Sequence, residues 1–169
     1  TDATLDIATE YEVTPVLIGS PPTSLDALCR LVEKALKLGI PFFADPILDP
    51  VHFGFAASIA RYHTLRERFP EIRIMMGTGN LTELTHADTT GVTAILMGLV
   101  SELDVDAILT TEVSAHCRTV VRESDRARRI MHAAKADNQP PQHIDPGLCG
   151  LHDMKPFPYS AAEVAELAA

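Results

Sequence analysis

Three turns hold the side chains whose types and spacing could do chemistry: Asp45 before Pro46, Asn80 in the run Gly77-Thr78-Gly79-Asn80, and Glu112 after Thr110 and Thr111. Each turn follows an apolar run of strand character, at residues 40–44, 72–76 and 106–109. The intervals between them match one strand–helix unit, and each interval carries an amphipathic helical pattern. In a parallel α/β protein this periodicity places Asp45, Asn80 and Glu112 on a single rim, at the C-terminal ends of the strands. Such rims are where these folds bind ligands and do chemistry. Two carboxylates and an amide on one rim form a binding-site signature.

The elements that must position them read as four strand–helix units. Residues 14–19 form a short buried strand ending in Gly19, followed by a Pro-rich turn with Thr23 or Ser24 as helix N-cap. Leu25, Leu28, Val32, Ala35 and Leu36 then recur at helical spacing up to the capping Gly39. The second unit passes through Asp45 into a helix over 56–68, with Ile59, Tyr62 and Leu65 inward, and stops at Phe69 and Pro70. The third opens through the Gly-rich turn into a helix capped by Asp88 or Thr89, whose inner face reads Val92, Ile95, Leu96, Leu99 and Val100. The fourth is strand 106–109 and a long helix near 118–136.

Residues 137–159 are rich in Pro and Gly and have no periodicity, and Ser160 with Glu163 spells a capping box for a last short helix. The division expected is therefore a strand–helix region, 1–137, and a tail, 138–169. Residue 1 is Thr, and residues 2–12 read as the end of an element, as expected for a piece of a longer protein.

Repeated units without a hairpin signal predict a parallel sheet. A complete (β/α)8 barrel needs about 200 residues or more, so four units make either an open doubly wound sheet or half a barrel. A half-barrel exposes sheet edges and apolar surface and is expected to pair with another copy as a homo-oligomer. The hydrophobic share of 46% in 169 residues suits one domain with a real core. A net charge of −9 argues against an extended nucleic-acid surface. No apolar run reaches the ~18 residues of a membrane span, so no membrane partner is expected. Cys29, Cys117 and Cys149 form no C-x-x-C pair, which fits reduced thiols in a cytoplasmic protein.

The wording of the rim segments carries a family resemblance. The stretches DPILDPVHFGF, MMGTGNLTELTHADTTGVTAIL, LTTEV and VRESDRARR resemble the pterin-binding barrel superfamily of dihydropteroate synthases and methyltetrahydrofolate:corrinoid methyltransferases. The subfamily they are most similar to is that of dihydropteroate synthase-related proteins associated with tetrahydromethanopterin biosynthesis. The resemblance covers nearly the whole chain and corresponds to strands five to eight of the barrel plus a tail. It implies a TIM-type pterin-binding fold, a reduced pterin as substrate or ligand, no further cofactor and no metal.

By that resemblance, Asp45 matches the aspartate that ends the sixth strand and accepts hydrogen bonds from the pterin 2-amino group and ring N–H. A buried carboxylate is the natural bidentate acceptor for adjacent donors on such an edge; the alternative is a helix or turn cap before Pro46. Asn80 lies where the methyltransferases carry an asparagine near the reactive pterin nitrogen, and an amide can both donate and accept there. Its alternative is a turn asparagine chosen for left-handed φ. Gly77 and Gly79 would allow close backbone approach to the ligand, since no G-K-[ST] ending makes a phosphate loop. Glu112 would be a second polar wall. Further substrate contacts are expected from His52, Thr78, Thr82 and Thr111, and a substrate phosphate could dock at Arg118 or Arg122. The alternative for the arginines is a solvated face paired with Glu123 and Asp125.

Two departures bear on the reaction. Dihydropteroate synthases carry a Ser-Arg-Lys type loop where this chain has Gly79-Asn80-Leu81-Thr82, and an Arg-x-His where it has Leu109-Thr110-Thr111-Glu112. Cations that would hold an anionic substrate and leaving pyrophosphate are thus replaced. Condensation with a different arylamine, as in tetrahydromethanopterin assembly, is the expected activity. The alternatives are methyl transfer from a reduced pterin to a corrinoid protein, and a non-catalytic, self-associating half-barrel. His86 and His116 flank the rim without metal spacing, and His143, Asp145, Cys149, His152 and Asp153 match no zinc template.

Overall fold

The four apolar runs become four short parallel strands, each followed by a helix. The computed structural model describes residues 2–149 and 160–168. In chain order the main elements are α1 (Asp2–Glu10), β1 (Val16–Leu17), α2 (Leu25–Leu38), β2 (Phe43–Ala44) and α3 (Phe55–Arg68). They continue with β3 (Met75–Gly77), α4 (Gly79–Thr82), α5 (Thr89–Glu102), β4 (Ala107–Leu109), α6 (Val120–Asp137) and α7 (Ala161–Leu167). Single 3-10 turns occupy Ala115–Cys117 and Pro146–Leu148.

The strands pair β1 with β2 and β3 with β4, in parallel, with Leu17 opposite Ala44 and Met76 opposite Ile108. A parallel bridge between Ala44 and Ile74 joins the two pairs. The spatial order of these four strands is thus the sequence order. The chain is a mixed α/β protein with short parallel strands.

Side chains alternate across a strand, and the two faces of this sheet differ. Leu17, Ala44, Ile74 and Met76, each at most 1% exposed, pack into one core with Leu28, Val32, Tyr62, Leu65 and Leu96 from the helices. On the other face Val16, Ile18 and Leu109 are 37%, 39% and 58% exposed. The Arg73 guanidinium lies 4.5 Å from the centre of the Phe43 ring. Helix α1 buries Leu5 and Ala8 in the same core.

Local signals act as the sequence predicts. The Ser24 hydroxyl accepts the Ala27 N–H, Gly39 closes α2 at φ 67°, and Ser160 with Glu163 forms a reciprocal capping box. The inner face of α5 differs from the apolar pattern: Ile95 is 68% exposed, while Thr89 and Thr93 are buried. The cause lies on α6, where the buried Glu123 accepts both threonine hydroxyls on Oε2 and Thr119 on Oε1. A carboxylate from a distant helix lets polar residues face inward, since a satisfied buried polar group costs little. Leu36 likewise turns outward, 51% exposed. The start of the tail folds back: Arg126 pairs with Asp145 at 2.8 Å and donates to the Gly147 carbonyl.

Candidate functional site

Asp45 directly follows β2, and its backbone N–H donates to the Leu17 carbonyl at 2.9 Å. The residue is 5% exposed. Its Oδ1 accepts the Tyr62 hydroxyl at 2.7 Å and the Ile47 N–H at 2.8 Å. Its Oδ2 accepts no hydrogen bond from a described residue, yet is not sealed from solvent. No lysine or arginine among the described residues pairs with this carboxylate. Burial pushes its pKa above the ordinary value, and the bonds from Tyr62 and Ile47 offset that only in part. A buried carboxylate without a cation costs stability, and such groups concentrate at functional sites.

The occupancy of Oδ1 narrows the expectation drawn from the sequence. A two-oxygen fork toward a ligand needs both oxygens open, and Oδ1 already holds two donors. The open lone pairs belong to Oδ2.

Helix α3 builds this arrangement with two consecutive residues. Tyr62 is fully buried, and its hydroxyl also lies 3.3 Å from the Met75 carbonyl of β3. Burial first, then the adjacent Asp45 carboxylate, keep it a neutral phenol. Arg61 donates to the carbonyls of Pro46 and Ile47 at 3.0 and 2.8 Å and pairs with Asp49 at 2.7 Å. Neither residue was singled out from the pattern beyond Tyr62 being inward. The available signal was the phenol itself, because a tyrosine in a core stripe must find an acceptor.

The three predicted turns do meet. Asn80 Nδ2 donates to the Leu48 carbonyl at 2.7 Å, joining the loops after β3 and β2. Asn80 sits in the single turn of α4 and not at positive φ, so the left-handed alternative falls away. A Cβ on Gly79 would come 3.4 Å from Thr111 Oγ1, whereas one on Gly77 would meet only open space. Glu83, which the sequence reading passed over, ties the loop after β4: it accepts Thr111 Oγ1 at 2.9 Å and the N–H groups of Val113 and Ser114 at 2.8 and 2.9 Å. Desolvation raises the Glu83 pKa, but the bonds from Ser114, Val113 and Thr111 outweigh it and hold it at about 2.

The remaining candidates divide. Thr78 and Thr82 are buried at 2% and 1%, with their hydroxyls turned to the Leu109 and Thr78 carbonyls. Glu112 is exposed and accepts the Val121 N–H at 3.0 Å, so it caps the start of α6. Thr110 Oγ1, at the end of β4, is buried without a partner among the described residues. His52 is exposed at φ 66°. Arg118 and Arg122 are exposed and form no ion pair with a described residue. Downstream, Arg126 pairs with Asp145 and Arg129 with Asp125.

His116 is buried, with Nε2 2.9 Å from the Thr82 carbonyl and its ring in a T-shaped contact with His86. The Cys117 thiol donates to the same carbonyl, and burial, reinforced by Glu83, raises its pKa to about 11. No group of three metal-ligating side chains converges among the described residues, and no helix there is long and apolar enough to cross a membrane. His152 and Asp153 lie outside the described residues.

Fold and site together define an α/β protein with parallel strands and a polar cluster at their C-terminal ends. No family model matches the chain. Over 128 residues it is 31% identical to an uncharacterized protein of Methanocaldococcus jannaschii. That match takes in 73% of this chain but 24% of the relative, so the chain spans about a quarter of the relative's length.

Proposed function

We propose that this chain is part of a pterin-binding (β/α)8 barrel and acts in a dihydropteroate synthase-related transferase, in assembly of a folate-like cofactor such as tetrahydromethanopterin. The observation that carries the reading is Asp45, a buried, cation-free carboxylate with one oxygen open at the strand ends. Oδ2 has lone pairs for the N–H donors of a 2-amino-4-oxo pyrimidine edge. Asn80 would border the ring, with Gly77 leaving room for it. Arg118 and Arg122 are available to a phosphate on the second substrate. The sequential strand order supports a barrel arc, in which each strand neighbours the next. Calorimetric titration with 7,8-dihydropterin and tetrahydropterin tests the reading. Saturable binding that disappears in Asp45→Ala is expected; equal affinity in the mutant removes it.

A second reading rests on a separate observation. The sheet face carrying Val16, Ile18 and Leu109 is open to solvent, as the interior of an incomplete barrel would be. On this reading the chain is a self-associating half-barrel, and light scattering gives at least twice the chain mass.

A further inference from the structure

We infer that Tyr62 is a positioning residue for Asp45: by occupying Oδ1 from inside the fold, it dedicates Oδ2 to the ligand and sets the ligand's approach. The inference deepens the proposed site and rests on that reading for the ligand's identity. Its geometry stands without it.

A carboxylate oxygen has two in-plane lone pairs. At Oδ1 they receive the Tyr62 hydroxyl at 2.7 Å and the Ile47 N–H at 2.8 Å. A ligand donor arriving there would have to displace one of them, and Tyr62 cannot retreat. Its ring is fully buried, and its hydroxyl is pinned between Asp45 and the Met75 carbonyl. Ile47 is held as well, since its carbonyl accepts from Arg61, which also grips Pro46 and Asp49. The carboxylate plane is therefore fixed from two sides by neighbouring residues of α3 and by the loop they clamp.

The consequence is that a ligand's donors must converge on one oxygen. Vicinal N–H groups of an amino-pyrimidine edge, which present the same N–C–N donor pair as a guanidinium, must then share Oδ2 instead of spanning both oxygens of the carboxylate. Among the described residues no other charged group pairs with the carboxyl: on α3, Arg61 is spent on the loop and Asp49. From α4 the neutral Asn80 is tied to the same loop through the Leu48 carbonyl.

The test reads Asp45 itself. In protein labelled with 13C at aspartate carboxyls, the Asp45 resonance, assigned by its loss in Asp45→Asn, is followed through a pH titration. Tyr62→Phe removes one of the two donors that favour the charged form, and the Asp45 midpoint is expected to rise by about one pH unit. Replacement of tyrosine by 3-fluorotyrosine, whose phenol donates more strongly, is expected to lower it and covers the case in which the phenylalanine variant does not fold. A midpoint unmoved in both overturns the inference. Titration of the same proteins with 7,8-dihydropterin separates this from the functional proposal. Shifted midpoints without pterin binding leave the positioning role standing and remove the pterin. Pterin binding with an unmoved midpoint does the reverse.

Discussion

Asp45 and Glu83 stand on neighbouring loops of the same rim, and the fold treats them in opposite ways. Glu83 is partly exposed, and both its oxygens are spent on Thr111, Val113 and Ser114. It is a tie between loops. Asp45 is buried deeper, has both its bonds on one oxygen, and keeps the other open. The difference separates a carboxylate used for structure from one held ready for a partner: the first has its pKa driven down to about 2, the second has it driven up. Residues 111–114 of the loop after β4 are tied down by Glu83, and the β2 end is left with an open carboxylate oxygen.

Removal of the clamp behind the open end should have the largest effect. Arg61→Ala strands Asp49 and frees the loop carbonyls, and should cost about 3 kcal/mol in urea unfolding, together with any Asp45-dependent ligand binding. Wild-type stability would mean that the loop holds itself.

On the closed side, Glu83→Gln removes charge-assisted bonds to an exposed loop and should cost about 1.5 kcal/mol at neutral pH. Its pH dependence has a definite sign. The folded pKa lies below the ordinary value of 4.5, so the Glu83 contribution is complete above that value and fades as pH falls toward about 2. Urea unfolding between those limits should be steeper with pH in wild type than in Glu83→Gln. Asp45 has the reverse sign: its raised folded pKa means stability is fullest below the ordinary value of 3.8 and declines as pH rises through the folded value.

The open sheet face gives a smaller effect. Leu109→Lys places a charge on exposed apolar surface, should change monomer stability by no more than ~0.5 kcal/mol, and should lower the solution mass if that face self-associates. An unchanged oligomer would assign association to another surface.

Much of this rim was readable because strand–helix periodicity is a local signal. Residues 40–45, 72–80 and 106–112 emerge on one edge as expected, and the caps at Ser24, Gly39 and Ser160 act within four residues of themselves. What escaped depends on partners distant in sequence. The burial of Thr89 and Thr93 follows from Glu123 on another helix, so an apolar stripe alone set the wrong residue, Ile95, inward. The use of Asp45 Oδ1 by Tyr62, 17 residues away, could not be read from the turn around Asp45. Glu112 was grouped with Asp45 by position, although its carboxylate caps α6.

One substitution tests whether Asp45 is held for a ligand. Asp45→Asn keeps an oxygen that can accept from Tyr62 and Ile47 and removes the buried charge. It should raise thermal stability at neutral pH by about 1 kcal/mol, or about 3 °C, while abolishing 7,8-dihydropterin binding measured on the same sample. A mutant that melts lower than wild type and binds dihydropterin equally well would make Asp45 a structural residue and contradict the account.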